Sequence, residues 1–145
     1  MNVTNFNLRV YGLLISNDSV LITHESRKGF LMTKFPGGGL EKGEGITDCL
    51  QREFKEELDI EINVQDQFYV NDFLQISAFN PADQLISFYY NVFSKELDKI
   101  DLTKKEVMDF EDQTFEWVKF RNLGNVDFTF PIDKKVVSRL IESHT

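Results

Sequence analysis

The stretch ITDCLQREFKEEL, residues 46–58, constrains this chain most, because it combines two patterns that usually exclude each other. Its spacing predicts a helix. With Glu53 at zero and about 100° per residue, Ile46, Cys49, Leu50, Glu56 and Glu57 all fall within about 60° of it. Phe54 and Leu58 extend that side, while Asp48, Gln51, Lys55 and Asp59 occupy the other. The three glutamates therefore continue the apolar stripe. They stand at i, i+3 and i+4, where each like-charged pair costs roughly 0.2–0.5 kcal/mol, and they lie near the helix C-terminus, where the macrodipole disfavours negative charge. A charge run is most often a solvated face, but here that would turn the apolar residues to water as well. A cation among the carboxylates reverses these penalties, and hard oxygen ligands of this kind suit Mg²⁺, or alternatively Mn²⁺.

Gly37, Gly38 and Gly39 follow Phe35-Pro36 and precede this helix. They fit neither G-x-x-x-x-G-K-[ST] nor G-x-G-x-x-G, so they are expected to wall the same site rather than cradle phosphate alone. Elsewhere, residues 6–16 and 19–25 read as strands joined by an Asn17-Asp18 turn. Residues 26–34 read as a polar connection. Residues 67–79 and 84–94 read as two long strands joined by Asn80-Pro81-Ala82-Asp83, and 98–113 as a charged loop. Residues 115–120 form another strand, with Phe115, Trp117 and Lys119 opposite Glu116, Val118 and Phe120. A last helix starts at Pro131 and carries Ile132, Val136, Val137, Leu140 and Ile141 at helical spacing. This order implies an α/β fold, a mixed sheet flanked by helices.

The run GGLEKGEGITDCLQREFKEELDI, from Gly38 to Ile60, resembles the Nudix box of the Nudix hydrolases. Gly38, Glu44, Arg52, Glu53, Phe54, Glu56, Glu57 and Ile60 match the motif, and Asp59 replaces its late glycine. The preceding strands, the FPGGG segment, a later EW strand and a terminal helix extend the resemblance over nearly the whole chain. It implies an α/β/α sandwich with a mixed β-sheet between helices. The implied reaction is divalent-metal-dependent hydrolysis of a diphosphate linkage in a nucleoside diphosphate joined to another moiety. Nucleoside triphosphates, nucleotide sugars and ADP-ribose-like molecules all qualify. A non-catalytic nucleotide-binding or sensor domain is the alternative.

In site terms, the resemblance implies metal binding by Glu53, Glu56, Glu57 and the backbone at Gly38. Arg52 would orient Glu53, itself a ligand, a base or both, and Glu44 would support them. Glu111 is placed like a further ligand or base from a distant loop, with Glu106 and Asp112 as alternatives. Arg27, Lys34 and Phe35 are candidates for substrate binding; Phe30, Phe128 and Phe130 are aromatics available to stack or to pack. Asp59 stands where the family glycine adopts a left-handed conformation, which Asp tolerates better than most residues. An altered helix end is expected there, with the site intact.

Residues 1–145 are expected to form a single domain. Net charge is -8, which argues against duplex nucleic acid as a partner but not against a small phosphorylated nucleotide. Cys49 is the only cysteine, the N-terminus reads as a strand rather than a leader, and no apolar run is long enough for a membrane. A cytoplasmic protein, monomeric or homodimeric, is the expectation.

Overall fold

The computed structural model describes residues 2–103, 105–107 and 111–144, with 105–107 and 111 described through their backbone. Twelve residues of alternating character form strand β1 (Asn5–Ser16), and a two-residue turn at Asn17-Asp18 leads into β2 (Ser19–Arg27). A second two-residue turn follows. Lys28 and Gly29 both adopt positive φ, the geometry that matches the twist of paired strands, and β3 (Phe30–Lys34) returns along β2. The segment expected as a polar connection is therefore half of a hairpin. Short β4 (Gly37–Gly39) then pairs antiparallel with β1, placing Gly39 opposite Arg9.

Helix α1 spans Ile46–Leu58, as its periodicity predicts. It buries Cys49, Leu50, Phe54 and Leu58. Burial of Leu50, Phe54 and Leu58 contributes roughly 1.5–3 kcal/mol each, well above the few tenths lost by glutamate repulsion. The altered helix end expected at Asp59 is corrected: Asp59 adopts the left-handed conformation described for the family glycine (φ 54°, ψ 40°), its N–H donated to the Lys55 carbonyl at 3.0 Å.

Strand β5 (Asn63–Val70) pairs antiparallel with β6 (Asp83–Phe93), which lies parallel to β1. The expected strand over 67–79 is corrected here: β5 begins earlier and stops at Val70. Asn71 ends the ladder by substituting its side chain for backbone partners. Its amide donates to the Phe73 and Leu85 carbonyls, and its oxygen accepts the Ser87 N–H. The chain bows outward and pairs with β6 again at the isolated Ile76–Gln84 bridge. The charged span 98–113 also contains structure. After a 3₁₀ turn at Leu97–Lys99 come β7 (Lys105–Val107) and β8 (Glu111–Lys119), the latter paired antiparallel with β2. Short α2 (Phe120–Leu123) and α3 (Pro131–Ser143) close the fold.

The strand order is β5-β6-β1-β2-β8-β7, with β3 added to β2 and β4 to β1. Alternation sorts the side chains into two cores. Val10, Leu14 and Leu21 pack with α1, whereas Leu13, Val20 and Ile22 pack with α3 through Ile132, Val136 and Leu140. Phe115 and Val118 divide the same way, as their spacing predicts. The result is a mixed sheet between helical layers. β1 and β2 meet only at their turn, and they splay apart where β4 and β3 are added. No described helix is long and apolar enough to cross a membrane.

Gly12 lies under α1, where an added Cβ would fall 2.5 Å from the fully buried Phe54 ring. Gly12→Ala is expected to destabilise the fold by about 1–3 kcal/mol in chemical denaturation, because the packed ring has nowhere to move. At the helix end, Asp59→Val should cost about 1–2 kcal/mol, since a β-branched residue resists positive φ, while Asp59→Gly stays within about 1 kcal/mol.

Candidate active site

Arg52 organises the site. Its Nε and Nη2 donate to the two Glu44 oxygens at 3.0 and 2.7 Å, a bidentate pair. Nη1 donates to Glu53 Oε1 at 2.9 Å, and more weakly to Glu56 Oε2 at 3.4 Å. Nη2 also reaches the Gly39 carbonyl at 3.1 Å. One guanidinium thus links α1 to β4 and to the loop between them. Glu44 additionally accepts the Glu41 N–H at 2.8 Å. The hydrogen bonds from Arg52, reinforced by that backbone bond, hold the Glu44 carboxyl down at about 2. Cys49 beneath them is buried, which pushes its thiol up to about 12.

Glu53 rests directly on Gly38, whose missing side chain makes the contact possible: a Cβ there would lie 2.6 Å from the Glu53 carboxyl carbon. Glu57, one turn on, accepts a hydrogen bond from Gln113 Nε2 of β8 at 2.6 Å. Burial pushes Glu57 up to about 8; Lys34 opposes that rise and Glu25 adds to it. Both carboxylates face a cavity of about 430 Å³ at the splayed edge between β1 and β2. Gly37–Gly39, Arg27, Lys34 and Asp112 line it too.

Among the described residues no group of three His, Cys, Asp or Glu side chains is gathered as a metal cage. Of the box residues, Glu53, Glu57 and the backbone around Gly38 face the cavity, and Glu25 and Asp112 also line it. This is the sparse, hard-oxygen set that suits a small divalent cation retaining several waters. Burial of Glu57 disfavours its charge, and a cation beside it would restore that charge. The residues present therefore fit such an ion. Glu56 sits apart: its side chain is 59% exposed and it does not line the cavity.

The sequence candidates for substrate contact separate. Arg27 is exposed and lines the cavity, its guanidinium 5.6 Å from the Phe79 ring centre. Lys34 is buried and bonded to Glu25 at 3.0 Å. Burial works against its charge, but Glu25, Tyr11 and Glu57 outweigh that and raise its pKa above the usual value. Phe35 is a correction. It is fully buried in the α3-side core, stacked on Phe128 at 5.0 Å, and lines no part of the cavity. Phe130 does line it, while Phe30 packs edge-on against Phe79. The Glu106 and Glu111 side chains lie outside the described residues.

Several cavity residues carry no motif. Arg9 donates from Nε to the Tyr11 hydroxyl at 3.1 Å. Tyr89, stacked on Tyr11, donates its hydroxyl to Asp133 of α3 at 2.5 Å. Burial pushes the Asp133 carboxyl up to about 7, with the Tyr89 hydrogen bond and Lys34 opposing it. An arginine interrupting an apolar strand, and an aspartate in the first turn of an amphipathic helix, were the available signals. Neither revealed that the two would meet one cavity.

The NUDIX domain family model matches residues 6–140. A solved MutT protein from Methanosarcina mazei is similar with a TM-score of 0.71 at 14% identity, covering 97% of this chain and 96% of that one. A DNA mismatch repair protein MutT of the Nudix hydrolase family, from methicillin-resistant Staphylococcus aureus, gives 0.67 at 24% identity, covering 95% and 97%. Among curated proteins, an mRNA-decapping protein of variola virus is 28% identical over 78 residues, 52% of this chain; the match spans 28% of the viral protein's length.

A carboxyl raised by burial binds protons more readily folded than unfolded, so Asp133 weakens the fold as pH rises from near 4 through about 7. Asp133→Asn lacks that titration. The melting temperature of Asp133→Asn minus that of the unsubstituted protein is therefore expected to climb between pH 4 and 7 and to level off above. Thermal denaturation across that range checks it.

Matched by the family model over residues 6–140, and carrying Gly38, Glu53 and Glu57 of the box at one cavity, the chain belongs to the NUDIX domain family.

Proposed function

We propose that this chain, as a member of the Nudix pyrophosphohydrolases, cleaves a diphosphate linkage in a nucleoside diphosphate joined to another group, with a divalent cation as cofactor. The observation that carries the reading is the Arg52 junction. It fixes Glu53 against Gly38 while leaving Glu53 and Glu57 at the wall of a cavity large enough for a nucleotide. On this reading Glu53, Glu57 and the Gly38 backbone hold Mg²⁺, or Mn²⁺, with Glu56 joining from the rim. When bound, the cation neutralises charge on the phosphate oxygens and makes a water more acidic.

The remaining roles belong to the protein. Arg52 keeps the Glu53 carboxylate oriented, whether Glu53 serves as ligand, base or both. Glu44 holds Arg52 in the plane that makes this possible, and Gln113 positions Glu57. Arg27 meets substrate from the cavity wall, and Glu111 is the further ligand or base contributed by β8. Lys34 offsets carboxylate charge from within. The substrate is a small phosphorylated nucleotide taken up by a single domain.

The test is release of phosphate or nucleoside monophosphate from nucleoside triphosphates, nucleotide sugars, dinucleotides and ADP-ribose, with Mg²⁺ and with a chelator. Turnover is expected only with metal. Glu57→Gln is expected to lower kcat at least about 100-fold, and Glu53→Gln by roughly 10²–10⁴-fold. Turnover unchanged in Glu53→Gln and Glu57→Gln overturns the assignment. Tight nucleotide binding without turnover establishes the binding-domain alternative.

A further inference from the structure

Exposed aromatic rings are ordinary on a protein surface, but Phe79 is held where it stands. It belongs to the turn between Asn71 and β6, and that turn is closed by its own hydrogen bonds. Ser77 Oγ accepts the N–H groups of Phe79 and Asn80 at 3.1 and 3.3 Å, and Asn80 Oδ1 accepts the Ala82 N–H at 3.0 Å. The Ser77 N–H donates to the Asp83 carbonyl at 3.0 Å, which anchors the turn to the start of β6. These bonds order the backbone without burying the ring. Phe79 remains 50% exposed, and it lines the same cavity as Glu53 and Glu57.

The β2–β3 hairpin supports the ring with two side chains. The Arg27 guanidinium stands over it, 5.6 Å from the centre, and Phe30 meets it edge-on, with centres 5.5 Å apart and planes at 78°. Both are favourable aromatic geometries, and together they fix the plane of the ring. What they leave uncovered contributes to the cavity wall. Gln75, Ser77 and Asn80 line that wall beside it. A flat apolar platform with polar neighbours suits a planar ring system edged with hydrogen-bonding groups, as a nucleobase is.

The spacing along the strands says how such a ligand lies. Gln113 Nε2 bonds both Glu57 and Glu25, at 2.6 and 3.4 Å, so Glu25 marks the carboxylate end. Arg27 is two residues further along β2, about 7 Å at the usual strand rise. On the other side, Gly39, next to the Gly38 that receives Glu53, pairs with Arg9, while Asp83 pairs with Asn5. Those two levels of β1 are about 13 Å apart. A nucleotide spans this distance with its diphosphate at Glu53 and Glu57 and its base at Phe79.

We propose that Phe79 is a specificity-determining residue that stacks on the nucleobase of the substrate, with Arg27 and Phe30 holding its ring in place. Every base has a π-face, so the contact selects diphosphates that carry a base over those that carry none, and discriminates little among bases. The proposal deepens the pyrophosphohydrolase reading and takes its substrate class from it.

Calorimetric titration with Mg²⁺ present tests it without turnover. The probes are the nucleoside monophosphates of adenine, guanine, cytosine and uracil, which contain no diphosphate to cleave, and methylenediphosphonate, which carries no base. Phe79→Ala is expected to weaken each monophosphate about 5-fold to 100-fold, the range for one base–aromatic stack, and to leave methylenediphosphonate unchanged. Phe79→Trp, which keeps an aromatic face, is expected to retain most of the affinity. Equal weakening of both kinds of probe marks a merely structural ring and overturns the proposal. So does monophosphate binding that is unchanged in Phe79→Ala, or absent from the unsubstituted protein. Phe79-dependent binding in a protein that hydrolyses nothing upholds the base platform while the enzyme reading fails. Hydrolysis accompanied by binding indifferent to Phe79 leaves the enzyme reading standing and removes the platform.

Discussion

The bonds of Arg52 join parts of the chain that the sheet and the core position separately. A bidentate pair to Glu44, a bond to Glu53 and a bond to the Gly39 carbonyl tie the helix, its preceding loop and short β4 into one unit. Lysine in its place would offer one compact charge instead of a planar fork, and could not serve these acceptors at once. The junction also explains why acidic residues are tolerated near a helix C-terminus. Glu53 is compensated locally, and Glu56 is close enough to Arg52, and sufficiently exposed, for water to screen it.

What the junction supports is a gap in the sheet. β1 and β2 are chain neighbours, yet they pair only beside their turn. Each then takes a different short partner, so the layer opens where β3 and β4 enter. The helices cover the two faces without filling that opening. Cavity and fold are thus one consequence of topology. The carboxylates of α1 enter from one side, Tyr89 and Asp133 from the other, and the Arg9–Tyr11 stretch of β1 runs between them.

Much of this was legible in the sequence wherever a local rule decides the outcome. The helical spacing of 46–58, the turn at Asn17-Asp18 and the start of the last helix at Pro131 each follow from a few adjacent residues. The helical spacing put Glu53, Glu56 and Glu57 on one face; Gly38 does receive Glu53, and Glu57 joins it at the cavity, but Glu56 stands exposed beside them. Local rules fail where a distant partner changes a residue's character. Lys34 reads as surface but is buried, because Glu25 across the β2–β3 hairpin neutralises it. Phe35 beside the glycine loop suggests a stacking group, yet Phe128, 93 positions later, claims its face. Asn71 looks like an ordinary strand residue until its amide is seen replacing the ladder. Gln113 and Glu57 are 56 residues apart, and nothing in either neighbourhood announces that they meet.

Asp59 shows how such a departure is absorbed. In the left-handed region it forgoes the freedom of glycine, yet the bend it must produce is enforced from outside. Ile60 and Ile62 are buried in the α1-side core immediately afterwards. The backbone between them is pinned twice: Ser94 Oγ donates to the Glu61 carbonyl at 2.7 Å, and the Glu61 N–H donates to Glu96 at 2.9 Å. The chain is therefore held on the far side of the turn by packing and hydrogen bonds that do not involve residue 59. The Asp59 side chain, 82% exposed, pairs with Lys55 at 3.1 Å and does not line the cavity. A residue so placed can alter how the helix terminates without moving Glu53, which Arg52 and Gly38 hold independently at the other end of that last turn and a half.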